Sequence, residues 1–189
     1  AIISKQKVGD VEANTLISGC CYTTIPNSVT SIGDKAFRYC YSLRSITIPD
    51  NVRVIRRRAF YGCKSLSSIT LPNSISKIGE KTFWSCDSLT TILWNTNNIS
   101  SLNNSVFSDC NNIQTLTIGD NVRYVPNNFM DGRSSLRTVS FGANIDTIEI
   151  NDLATVASSG DYNDLKNKLC SRVDGYSEWL GLYFINSGE

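Results

Sequence analysis

Residues 31–49 read SIGDKAFRYCYSLRSITIP, and their apolar positions keep neither a strand's alternation nor a helix's three-to-four spacing throughout. The same arrangement returns as VIRRRAFYGCKSLSSITLP at 54–72 and as KIGEKTFWSCDSLTTILWN at 77–95. Anchored on phenylalanine, it places Phe37, Phe60, Phe83, Phe107 and Phe129 at intervals of 23, 23, 24 and 22 residues. A period in the twenties marks a solenoid, in which each turn of chain stacks on the next.

The other columns keep step. Cys40, Cys63, Cys86 and Cys110 form one, and Leu43, Leu66, Leu89, Ile113 and Leu136 another. Ile46, Ile69, Ile92, Leu116 and Val139 follow, then Ile25, Ile48, Leu71, Trp94, Ile118 and Phe141. Val29, Val52, Ile75, Ile99, Val122 and Ile145 form the next, and Ile32, Ile55, Ile78, Leu102, Val125 and Ile148 the last. Each turn thus supplies about seven inward side chains, none of which is buried until a neighbouring turn covers it.

Within one turn the period changes. In LRSITIP, Ile46 and Ile48 alternate with Ser45 and Thr47, which predicts a strand with one buried face, ended by Pro49. VTSI predicts a second short strand on another side of the coil, and DKAFRYC, too short for an independent helix, predicts a helical turn. Stacked in register at about 4.8 Å, the phenylalanines would form an internal spine. Single-residue changes of length fall in NTNNIS, between Val125 and Phe129, and in MDGRSSL, where loops absorb them.

Composition narrows the function classes. The 189 residues are 41% apolar, enough for one elongated domain with a buried core. Eighteen Lys and Arg against 17 Asp and Glu leave a charge of +1, which argues against nucleic-acid binding by phosphate neutralisation. Histidine is absent, which removes Ser-His-Asp and Cys-His catalysis and His-containing zinc sites. No apolar run is long enough for a membrane helix, so no membrane insertion is expected. The chain opens on Ala1, Ile2 and Ile3 without a signal-like segment, and we read it as a piece of a longer protein.

Seven cysteines raise the question of a metal site or a disulfide framework. Four of them recur once per turn, whereas metal sites are built from closely spaced pairs. Stacked neighbours would have Cβ atoms about 5 Å apart, beyond the roughly 3.5–4.5 Å of a relaxed disulfide. The expectation is a ladder of buried, reduced thiols, with Cys20 also in the core and Cys21 and Cys170 left open. No cofactor is expected.

Candidate binding residues are those the repeat leaves facing outward. On the strands these include Ser45, Thr47, Ser68, Thr70, Thr91 and Leu93, continued by Thr115, Thr117, Thr138 and Ser140. Threonine suits any solvated strand, but the face is hydroxyl-rich and nearly uncharged, and Leu93 interrupts it with an apolar anchor. VRVIRRRAF adds Arg53, Arg56 and Arg58 as a basic patch for an acidic partner. Arg57 is discounted because it shares a column with Asp34 and Glu80, whereas Arg58 stacks between Lys35 and Lys81. Tyr41, Tyr61, Trp84 and Met130 flank the Phe-Cys turn, and Asn98 and Asn103 open N-x-Ser sequons.

LRSITIPDNVRVIRRRAFYGCKSL resembles the BspA-like subclass of leucine-rich repeats, with the phrase Leu-x-x-Ile-x-Ile-Pro-x-x-Val-x-x-Ile-x-x-x-Ala-Phe-x-x-Cys-x-x-Leu, over about residues 20–150. NTLISGCCYTTIPNSVTSIGDKAF is similar to the entry into such arrays. The later turns depart from the phrase at Trp94, Asn95, Asn128 and Gly132. The resemblance implies an α/β leucine-rich-repeat solenoid, a right-handed superhelix of mostly short parallel β-strands with short helical turns. About five repeats of 22–24 residues are expected. It also implies secreted or surface-anchored bacterial proteins that bind host matrix, cells or proteins, and it brings no catalytic residues.

Residues 1–19 are expected to form an N-terminal hairpin cap and 20–150 the solenoid. Residues 151–189 are expected to form a C-terminal cap or a junction to further repeats. There DYNDLKNKLCSR predicts a helix starting at Asp161 and stopped by Gly175, and EWLGLYFI a strand. The expected function is non-enzymatic recognition or adhesion outside the cell. The partner would be a protein or an extracellular-matrix or glycan ligand. The alternative is a structural spacer within a larger surface protein, and an enzyme is the least favoured class.

Overall fold

A computed structural model describes residues 1–6, 12–96, 99, 102, 105–125, 135, 138–140, 142, 147–148 and 183–184. The chain winds into a solenoid whose sides are built from short parallel strands. On one side, β1 (Ile2–Ser4) and β2 (Thr15–Ser18) form an antiparallel hairpin. After it come β3 (Ser31–Ile32), β4 (Val54–Ile55) and β6 (Lys77–Ile78), in the order β1-β2-β3-β4-β6. The facing sheet has the order β10-β8-β7-β5, from β5 (Ser68–Leu71), β7 (Thr91–Trp94), β8 (Thr115–Ile118) and β10 (Thr138–Ser140). Further along, β9 (Tyr124–Val125), β11 (Thr147–Ile148) and β12 (Tyr183–Phe184) pair in parallel around β11.

Register follows the columns of the sequence. Ser68, Thr91, Thr115 and Thr138 face one another across the facing sheet, as do Thr70, Leu93, Thr117 and Ser140. The core lies between the sheets and the turns. Phe37, Phe60, Phe83 and Phe107 are fully enclosed and stack with centroids 5.0, 5.2 and 5.2 Å apart and nearly parallel planes. Leu16, which keeps a spacing of 16 rather than 23 residues to Ile32, is equally buried and begins that column. The β1–β2 hairpin thus covers the first turn with a residue that the period does not predict.

Two expectations about local structure change. Among the described residues no helix occurs, and the segments expected as helical turns are successive reverse turns. In the first, Ala36, Arg38 and Cys40 donate their amides three residues back, to Gly33, Lys35 and Phe37. The intervening amides of Lys35, Phe37 and Tyr39 donate to Arg57, Ala59 and Tyr61 of the next turn. Alternate amides therefore serve the same turn and the next, which a helix, with every amide committed to its own axis, cannot do. The geometry requires left-handed backbone at Lys35, Tyr39, Arg58, Gly62, Lys81, Ser85 and Asp109.

LRSITIP keeps its alternation, with Ser45 and Thr47 exposed, Ile46 half-buried and Ile48 buried, but residues 43–48 form no strand. Just before β5, the Ser67 amide and hydroxyl both donate to its Arg44 carbonyl, at 3.2 and 3.3 Å. The preceding coil turns back on itself at Cys20–Thr23, where Thr23 N–H donates to Cys20 O at 3.0 Å. An extended segment at 45–48 thus lacks a strand partner on that side, and a ladder needs partners to persist.

Candidate binding surface

The outward rows of the facing sheet form the first candidate surface. Thr91, Thr115 and Thr117 are half-buried beside their neighbours, Ser68, Thr70, Thr138 and Ser140 are exposed, and Leu93 lies half-buried between Thr70 and Thr117. Parallel pairing holds these side chains in rows, so the surface is rigid and repetitive. Ser45 and Thr47 lie beyond β5, outside the ladder that fixes the others.

The arginines disperse. Arg53 is exposed, and Arg56 lines a cleft of about 590 Å³ with Asp34, Val54, Arg57, Lys77 and Glu80. Arg57 Nε lies 3.6 Å from Glu80 Oε2, so the alternating-charge column is formed as an exposed ion pair. Arg58 instead turns to the neighbouring side, its guanidinium carbon 5.8 Å from the Tyr61 ring centroid. Nε of Arg56 and of Arg58 is buried without a hydrogen-bond partner.

The thiols do more than fill space. Cys20, Cys21, Cys40, Cys63, Cys86 and Cys110 are thiols outside any disulfide. Cys63, Cys86 and Cys110 donate S–H to the carbonyls of Phe37, Phe60 and Phe83 one turn earlier, at 3.2, 3.3 and 2.9 Å. Burial pushes the Cys63 thiol up to about 12, and the neighbouring Cys110 thiol, then burial, push Cys86 in the same direction. Cys40 is half-buried and raised mainly by burial, while Cys20 is exposed and lowered, first by its hydrogen bond with Thr23. Cys20 is thus a surface thiol rather than a core residue, because the Cys20–Thr23 turn points it outward. Among the described residues no group of three His, Cys, Asp or Glu side chains is arranged to hold a metal ion. Nor is any helix among them long and apolar enough to cross a membrane.

Sequence reasoning missed the left-handed column at Lys35, Arg58 and Lys81. The available signal was Gly62, which shares the second left-handed column with Tyr39, Ser85 and Asp109. Phe129, Met130, the sequon residues Asn98 and Asn103, the expected helix from Asp161 and Cys170 lie outside the described residues.

Comparison with known proteins places this geometry in a family. A leucine-rich repeat protein from Eubacterium ventriosum ATCC 27560 is similar, with a TM-score of 0.61 at 23% identity, covering 72% of this chain. The chain spans only 38% of that protein's length. The T. pallidum leucine-rich repeat protein is similar over 96% of this chain and 79% of its own, with a TM-score of 0.60 and 26% identity. No curated protein matches. The model for the BspA type leucine-rich repeat region matches in six copies over residues 30–156, where the period alone led us to expect about five. Over most of its length, then, the chain belongs to the BspA type leucine-rich repeat family.

Proposed function

We propose that the chain is a non-enzymatic recognition module of a bacterial cell-surface or secreted protein, which holds a protein or glycan partner on its solenoid surface. The observation that carries this reading is the in-register hydroxyl face with Leu93 at its centre. Such a surface is preorganised, so the chain loses little ordering entropy when a partner binds, and repeat arrays offer extended faces of this kind. Membership of the BspA type family supports the cell-surface setting. Ser68, Thr70, Thr91 and Leu93 form the contact on this face, whereas Arg53 and Arg56, at β4 in the other sheet, stand apart from it.

The test is an array of extracellular-matrix proteins and glycans probed with the folded chain, followed by Leu93→Lys and Thr70→Lys variants. Binding that these variants abolish, with thermal unfolding unchanged, supports the reading. Retained binding in both variants would remove the hydroxyl face, and an array with no binder would favour the spacer.

A further inference from the structure

A second surface carries more specific chemistry. Tyr39 stacks on Tyr41 at 5.6 Å and meets Tyr61 edge-on at 5.5 Å, and Tyr61 stacks on Trp84 of the next turn at 6.4 Å. Tyr39 and Tyr41 are 44% and 52% exposed, which is high for rings already packed together. Cations lie against these rings on three successive turns. The Arg38 guanidinium carbon is 4.5 Å from the Tyr39 centroid and 5.6 Å from that of Tyr61, and Lys81 Nζ is 4.4 Å from that of Trp84. Arg58 approaches Tyr61 from its own turn.

These cations are not neutralised. The nearby carboxylates Glu80 and Asp87 are engaged by Arg57 and Lys64, at 3.6 and 3.5 Å. Among the described residues Arg38, Arg58 and Lys81 form no ion pair. Backbone geometry sharpens the point. Arg58 and Lys81 sit in the left-handed region, at φ 56° and 55°, where glycine or asparagine would sit with less strain. A long cation held at such a position on consecutive turns is an outlier that points toward function rather than stability.

We propose that this aromatic and cationic strip is a track for a linear anionic polysaccharide, bearing carboxylate or sulfate groups, laid along the axis of the array. Three successive turns each offer an amphipathic ring beside an unneutralised cation, and a polymer with repeated charge can meet all three. An acidic protein fits less well. Protein interfaces depend on apolar anchors seated in pockets, and the cleft beside Arg56 includes none of these rings. Acidic sugars lay their C–H faces on aromatic rings while their hydroxyl and anionic groups take charge-assisted hydrogen bonds from neighbouring cations.

The proposal rests on the chain being a recognition module but uses a different face, so the two readings fail separately. Heparin, polygalacturonate, polyglutamate and neutral dextran are the probes, with affinity measured at several salt concentrations. The variant Arg38→Gln/Arg58→Asn/Lys81→Asn removes the strip's charge while keeping residues that tolerate the backbone. Arg53→Gln/Arg57→Gln/Lys77→Gln removes equal charge elsewhere. The expected result is salt-sensitive binding of a polysaccharide polyanion, weakened about tenfold or more by the first variant and about twofold or less by the second. Equal losses in both variants would reduce the effect to net charge and overturn the proposal. Polyglutamate binding as well as the polysaccharides, or none of the anions binding, would overturn it too. Binding abolished by Leu93→Lys but not by the strip variant would sink the track and leave the hydroxyl face standing.

Discussion

Replacing Phe60 by alanine opens the phenyl stack at its centre. Its ring lies 5.0 Å from Phe37 and 5.2 Å from Phe83, within 6° of parallel to each, and is wholly enclosed. Losing a buried phenyl costs about 3–5 kcal/mol through transfer and cavity terms. Two ring contacts, each contributing about 0.5–1.5 kcal/mol, place Phe60→Ala at the upper end of that range. Phe37 is the comparison. It has one ring neighbour, and on its other side the backbone of Gly19 approaches so closely that a Cβ there would lie 2.2 Å from Phe37 Cε1. Phe37→Ala should therefore cost about 1 kcal/mol less than Phe60→Ala. A domain holds about 5–15 kcal/mol in all, and each turn couples only to its neighbours, so the central truncation should also broaden unfolding. Urea titration followed by far-ultraviolet ellipticity measures both the midpoint and the slope. Equal or larger loss in Phe37→Ala, at unchanged slope, would refute the idea that the stack is the cooperative spine.

Four further outcomes are expected. Gly62→Ala should cost about 1–2 kcal/mol from backbone strain at φ 70°. Because its Cβ would lie 2.7 Å from Tyr39 Cδ1, it should also shift the Tyr39 ring resonances in a proton spectrum. The Cys63 thiol holds its proton more tightly when folded, so its contribution is complete below the unfolded value of 9.0 and is lost as pH rises toward about 12. Cys63 alone should lower the stability measured by urea across that window by about 1.4 kcal/mol per pH unit, and the fall should be less steep by that amount in Cys63→Ala. At pH 8 a maleimide should label Cys20 at once and leave Cys63, Cys86 and Cys110 unmodified until the chain unfolds, as mass spectrometry would show. Glu80→Gln breaks an ion pair whose side chains are 54% and 56% exposed, so its unfolding midpoint should barely move.

The core was legible in the sequence because burial repeats with the chain's period, and columns such as Leu43, Leu66 and Leu89 have no other reason to recur. Features that depend on a neighbour were not. Ser45 and Thr47 have the alternation of a strand, yet what they pair with is decided by the fold of residues 20–23. Leu16 joins the Ile32 column out of period because a hairpin, rather than a repeat, supplies it. The outward hydroxyl rows were visible as a pattern, whereas the cationic strip needed the backbone. Arg38, in the column of Tyr61 and Trp84, leans over Tyr39 instead, and only the left-handed turn shows where Arg58 and Lys81 project.

The reverse turns have a direction. On that side of the coil the amides of Lys35, Phe37 and Tyr39, of Arg58, Phe60 and Gly62, and of Phe83 and Ser85 all donate toward the following turn. Peptide dipoles there run one way along the axis, as they do in a helix but across separate turns. The two ends of the array are consequently unlike. The leading end presents carbonyls and must be met by donors, as Gly19 N–H meets Ala36 O at 2.9 Å, whereas the trailing end presents amides and must be met by acceptors. A segment shaped to close one end has the wrong chemistry for the other. Two such arrays can extend each other only head to tail, which on this side rules out the symmetric end-to-end dimer.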